Sequence, residues 1–158
     1  MDLRIRTLIK RHLSGTELNL NGKQLENRGL KTLARSDLLT GVETLSLRNN
    51  YFDYIGLQAL AQSKHLSSLK SLNLMDNTIV NKGAVILAEA AVFSGLKSLN
   101  IENCGIMPTG ILALAKSTTL KHLEEHYIIL IIHLVREIII RNTLKISILV
   151  EIVMSSVV

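Results

Sequence analysis

One frame of residue types recurs with a 27-residue period, and it restricts what this chain can fold into more than any other feature. In the segment 69–77, LKSLNLMDN, the leucines Leu69, Leu72 and Leu74 are followed by Asn77 and Ile79, and then by Gly83, Leu87 and Ala88. Moving the frame one period upstream lands on Val42, Leu45, Leu47, Asn50, Phe52, Gly56, Leu60 and Ala61. Moving it one period downstream lands on Leu96, Leu99, Ile101, Cys104, Ile106, Gly110, Leu114 and Ala115. A further copy, Leu18, Leu20, Leu25, Gly29, Leu33 and Ala34, stands at the front. Units of this kind cannot bury their own apolar faces alone, so they stack and share a continuous core.

Within each unit the apolar period changes once. The pairs Leu18/Leu20, Leu45/Leu47, Leu72/Leu74 and Leu99/Ile101 alternate with the period of two of a half-buried strand. The second half carries apolar residues at i, i+3, i+4, such as Leu57, Leu60 and Ala61, which predicts a helix with one buried side. Pro108 suits the first turn of the fourth such helix, where a missing N–H has no partner to lose. Strands separated by helices pair in parallel through crossovers. Strands sit ~4.8 Å apart and helices ~10 Å, so the expected shape is a curved solenoid with the sheet inside. The fold class read from this is α/β, with four full repeats and atypical ends.

Two columns of the frame are not apolar. Asn50, Asn77 and Cys104 fall where strand gives way to loop. An amide there can donate to and accept from exposed backbone groups, and stacked copies would form a ladder. Cysteine can fill such a slot as a small buried group with a weak donor, so Cys104 reads as structural rather than as a reactive thiol or metal ligand. The glycines Gly29, Gly56, Gly83 and Gly110 read as allowing close approach of backbone segments at each helix start. Evenly spaced single glycines do not make a phosphate loop.

The frame L-x-x-L-x-L-x-x-N/C-x-L followed by G-x-x-x-L-A resembles that of leucine-rich repeats. The 27-residue period with a full helix is similar to their ribonuclease-inhibitor-like class, over residues 16–123. That resemblance implies a horseshoe-shaped segment that binds another macromolecule on its concave face, with no catalysis and no cofactor. Inhibitors, immune sensors, small-GTPase activators and bacterial proteins deployed in host cells belong to that class.

The residues between the strand leucines are the candidate contacts with a protein partner. One column, Asn19, Ser46, Asn73 and Asn100, is uniformly small and polar. The next, Asn21, Arg48, Met75 and Glu102, varies most, and Tyr51 just past the second strand adds an aromatic. Variation on a constant frame is where specificity can reside. A nucleic-acid partner is not expected. Aromatics are only 3% of the chain and most basic residues are dispersed, although the net charge is +5. The single cysteine forms no intrachain disulfide, and the N-terminus lacks the apolar run of a secretory signal. Cytoplasmic residence is the expectation, which includes a host cytosol for a protein delivered by a bacterium.

The ends depart from the frame. Residues 1–15 read as an N-terminal capping helix or half repeat, with Leu3, one period before Leu30, in the place of a preceding repeat's helix. A basic helix lying on an anionic membrane is the rival reading of that segment. Leu120 and Leu123 still fit, but the next leucine slot is His126, and residues 124–158 are rich in isoleucine without glycine or proline. That tail reads as a C-terminal cap, a membrane segment that its charges argue against, or a stretch translated out of frame. His122, Glu125 and His126 also match H-x-x-E-H, a zinc-hydrolase signature, but Leu123 occupies a core slot leading into a strand and the helical spacing is lost. The function read from the whole is a protein-interaction module. A truncated or nonfunctional fragment of a longer array and the zinc hydrolase are its alternatives.

Overall fold

The computed structural model describes residues 3–123. Helix α1 (Leu3–His12) and a short strand β1 (Leu13–Ser14) come first. Four repeats follow, with strands β2 (Glu17–Asn19), β3 (Thr44–Ser46), β4 (Ser71–Asn73) and β5 (Ser98–Asn100). They alternate with helices α2 (Glu26–Ala34), α3 (Tyr54–Ala61), α4 (Val80–Glu89) and α5 (Pro108–Ala115). The sheet runs in chain order, and β2 to β5 are parallel with each residue paired to its equivalent in the next repeat, Leu18 to Leu45, Leu45 to Leu72 and Leu72 to Leu99. This is the expected α/β repeat solenoid. The strand leucines and the inner faces of the helices form one continuous aliphatic core, closed by Phe52 and Phe93. Pro108 opens α5 as anticipated.

The asparagine ladder is built from both ends of each amide. Asn50 Nδ2 donates to the carbonyls of Leu20, Leu47 and Arg48, while its Oδ1 accepts from the N–H of Lys23 and of Leu25. Asn77 repeats this one rung on, donating to Leu47, Leu74 and Met75 and accepting from Asn50 N. Cys104 holds the next rung with weaker bonds, Sγ to Leu74 O at 3.2 Å and to Glu102 O at 3.5 Å. Burial of the thiol pushes its pKa up from 9.0 to about 11, so it stays protonated at neutral pH. The structural reading of Cys104 fits this geometry.

Two expectations need correction. The helix glycines are not needed for contact between backbones: a Cβ on Gly56 would stand 2.6 Å from Asn27 Oδ1, and one on Gly110 2.7 Å from Asn81 Oδ1. At Gly56 and Gly110 what must come close is a side-chain amide of the preceding repeat, and at Gly29 and Gly83 it is the side chain four residues earlier, Leu25 at 3.1 Å and Ile79 at 2.7 Å. Nor does Leu3 take the place of Leu30. It is 81% exposed, and Ile5 and Ile9 are the residues buried from α1. The reason is β1, which pairs antiparallel with β2 through Leu13 to Leu18 and Ser14 to Glu17. That hairpin shortens the path from helix to strand, so α1 meets the core out of phase with the repeat frame. It also covers the edge that β2 would otherwise present.

Neighbouring repeats are of two kinds, so the structural period is a pair of repeats rather than one. Asn27 Oδ1 accepts from Asp53 N and Gly56 N, and Asn81 Oδ1 accepts from Met107 N. Single 3-10 turns follow α2 and α4 at Asp37–Leu39 and Ala91–Phe93. After α3 and α5, by contrast, Ser63 Oγ donates to Ala34 O and Ser117 Oγ to Ala88 O. Helices α2 and α3 accordingly pack more extensively, as do α4 and α5, than α3 does on α4. The tail 124–158, with Glu125 and His126 of the H-x-x-E-H match, lies outside the described residues.

Candidate functional site on the strand face

Alternation along each three-residue strand buries the central leucine and turns its two neighbours outward. The column Asn19, Ser46, Asn73 and Asn100 lies at the strand ends, exposed or half-buried. Its members are less free than their polarity suggests. The Oδ1 atoms of Asn19, Asn73 and Asn100 each accept from the N–H two residues on, at Asn21, Met75 and Glu102. Ser46 Oγ instead donates to Asn21 Oδ1 at 2.7 Å, and the same oxygen accepts from Arg48 N at 2.9 Å. These side chains therefore shape the turn that ends each strand as well as lining the face.

The variable column keeps its variety in space. Arg48 and Glu102 are exposed, and Asn21 and Met75 are half-buried. Arg48 Nε reaches Asp76 Oδ2 at 2.8 Å, and Asn103 Nδ2 donates to Asp76 Oδ1 at 2.8 Å. The bond from Asn103, then the bond from Arg48, hold the Asp76 carboxyl below its ordinary pKa of 3.8. A chain of three side chains thus crosses three repeats. On the opposite side of the columns, Lys70 Nζ meets Glu43 Oε1 at 2.7 Å.

Asp76 and Asn103 are not among the residues that the strand alternation singles out, although a signal for them exists in the sequence. Gly22, Asn49, Asp76 and Asn103 occupy one column of the repeat frame, and all four have positive φ, between 53° and 64°. Glycine, asparagine and aspartate are the residues that adopt this left-handed conformation most readily. Asn49, Asp76 and Asn103, with Asn77 and Thr78, line a polar cavity of about 510 Å³ beside the variable column. Tyr51 stands on the adjoining rim, 65% exposed. Its φ is +58°, a conformation that Gly105 adopts at the equivalent position two repeats later, with φ +68°. Among the described residues, no group of three or more His, Cys, Asp or Glu side chains is placed to hold a metal ion.

A family model described as Leucine Rich repeat matches residues 65–88 and 96–115, which fall on the third and fourth repeats. No curated protein matches the chain. Among solved structures, actin-binding site 2 of leiomodin-1 is similar, with a TM-score of 0.57 and 24% sequence identity over 77% of this chain and 73% of that one. At that identity the likeness speaks for the fold. The matched repeats, the structural neighbour and the register-locked parallel sheet agree: the chain carries leucine-rich repeats folded as an α/β solenoid.

Proposed function

We propose that this array is a noncatalytic protein-interaction module of the ribonuclease-inhibitor-like class, holding its partner on the concave, strand-lined face. Asn19, Ser46, Asn73 and Asn100 form the floor of the contact, and Asn21, Arg48, Met75 and Glu102 give it specificity. Tyr51 supplies an anchor at the rim. The observation that carries the reading is Tyr51, a bulky aromatic residue held 65% exposed beside the variable column, in a left-handed conformation that Gln24 adopts one repeat earlier and Gly105 two repeats later. A residue other than glycine costs roughly 1–2 kcal/mol in that region. An exposed tyrosine beside a variable polar column is the residue type that protein-binding surfaces use as an anchor.

Scale supports the reading and limits it. Four parallel strands span ~15 Å, so an interface of ~800 Å² per partner would occupy most of the face. The fold is large enough for such use in at least one other protein, since the leiomodin-1 neighbour is an actin-binding site. The test is quantitative affinity capture with the wild type, Arg48→Ala, Tyr51→Ala and Tyr51→Gly. Loss of a specific captured protein in all three variants is expected, with Tyr51→Gly folding at least as stably as the wild type. Undiminished capture by every variant would refute the reading.

A further inference from the structure

The end of the array formed by α1 and the first repeat carries more positive charge than the rest of the described residues. Residues 3–40 hold eight Lys and Arg against three Asp and Glu, whereas residues 41–123 hold seven against five. The fold gathers that excess onto two adjoining helices. With Ile5 and Ile9 facing the core, helical periodicity places Arg6, Lys10 and Arg11 on the outer side of α1, and all three are exposed. Helix α2 buries Leu30 and Leu33, so Arg28, Lys31 and Arg35, also exposed, form one stripe at i, i+3, i+7 along its outer side. The two helices touch directly, Ile5 Cδ1 lying 3.6 Å from where a Cβ on Gly29 would stand.

Four of these six cations stand in like-charge pairs, although Lys10, Arg11 and Lys31 lie in the last turns of their helices, where the helix dipole favours positive charge. Arg6 and Lys10, and Lys31 and Arg35, are like-charge pairs at i, i+4, which disfavour a helix. The ion pairs among the described residues, Arg48 with Asp76 and Lys70 with Glu43, both lie on the strand side and relieve none of this. Arg4 is a separate case, because its Nη2 donates to Lys23 O and Gln24 O and ties α1 to the first repeat. On the same outer side as Lys10, two helical turns earlier, stands Leu3, the most exposed large apolar residue among those described.

We propose that this two-helix face docks on an anionic lipid bilayer, with the six cations against the headgroups and Leu3 entering the boundary between headgroup and acyl chain. Charge complementarity calls for a polyanionic surface. Leu3 decides which one, because the headgroup boundary admits an apolar side chain and a phosphate backbone offers it nothing. The face also presents no aromatic ring for stacking and no Asn or Gln in the two stripes for reading base edges. Attachment is peripheral: the apolar side of α1 is already used by the core, and among the described residues no helix is long and apolar enough to cross a membrane. The strand face is left open, so this inference stands independently of the partner proposed above.

The test is co-sedimentation of the full chain with vesicles of phosphatidylcholine alone, or with about one third phosphatidylserine. The wild type should bind only the anionic vesicles. Each cation is worth about a fivefold change, so Arg6→Gln/Lys10→Gln should lower binding about 25-fold. Leu3→Ser should weaken vesicle binding, and the control Lys97→Gln/Lys116→Gln should leave it unchanged. Equal binding to neutral vesicles would overturn the proposal, as would binding that the Arg6/Lys10 variant leaves intact. Binding to a random-sequence DNA duplex without binding to anionic vesicles would overturn it in favour of a nucleic acid.

Discussion

Replacing Asn50 with alanine removes one amide that serves five backbone groups, and the structure allows the consequence to be worked group by group. Two of its three carbonyl acceptors keep another donor: Leu47 O still receives Asn77 Nδ2 and Arg48 O still receives Gly22 N. Three groups lose the bond that Asn50 supplied, namely Leu20 O, Lys23 N and Leu25 N. An orphaned buried donor or acceptor costs about 1–3 kcal/mol. Water can enter at the Lys23 end, so the expected loss is about 3–5 kcal/mol, a large share of the ~5–15 kcal/mol that holds a typical domain together. Asn50→Cys imitates the rung at Cys104 and should cost less, because a thiol can still donate to one of the carbonyls. Urea unfolding of the three proteins gives these differences directly. Hydrogen exchange gives the location, since protection at Lys23 and Leu25 should fall first. A loss for Asn50→Ala below about 1 kcal/mol, with those two amides still protected, would refute the ladder as a source of stability.

Two more perturbations follow from the geometry. In Gly56→Ala, the added Cβ would stand 2.6 Å from Asn27 Oδ1 and 3.2 Å from Leu30 Cδ2 and Phe52 Cβ. A destabilisation of about 1–3 kcal/mol is expected, and its sum with that of Asn27→Ala should exceed the measured double mutant. For Cys104, the unfolded thiol ionises near 9.0 and the folded one only near about 11. Between those values unfolding releases a proton, so stability falls as pH rises, by at most about 2–3 kcal/mol, and is independent of this group below pH 9. Cys104→Ala should lack that component when the two proteins are compared by urea unfolding up to about pH 11.

The repeat core is legible in the sequence because two periods overlap in it. Leu45 and Leu47 alternate as strand residues must, and each recurs one repeat on in a sheet whose parallel register has that same offset. The asparagine ladder is legible for a related reason, since a polar residue repeated in an apolar frame needs backbone partners. Leu3 is misplaced by the frame because the frame assumes equal spacing, and the β1 hairpin shortens the connection just where the frame is extended. On the strand face, the composition of each column is readable but the use of its atoms is not. Asn73 and Asn100 look like free contact residues until the turn geometry shows their Oδ1 atoms bonded to Met75 N and Glu102 N. Asp76 and Asn103 escape the strand alternation because they lie one position beyond it. Only their shared positive φ, which favours Gly, Asn and Asp, marks them as a column.

The alternation of two repeat kinds has a consequence for how such an array can change its length. Asn27 and Asn81 close the junction to the repeat that follows, while Ser63 and Ser117 secure the helix ends behind them, and neither set can do the other's work. Copying or deleting a single repeat would set two of one kind side by side, a junction that the described repeats do not contain. Gain or loss of two repeats at once preserves every junction. Lengthening this solenoid to widen its face is therefore a problem of inserting pairs, and variants that differ by an odd number of repeats should be less stable than their even-numbered neighbours.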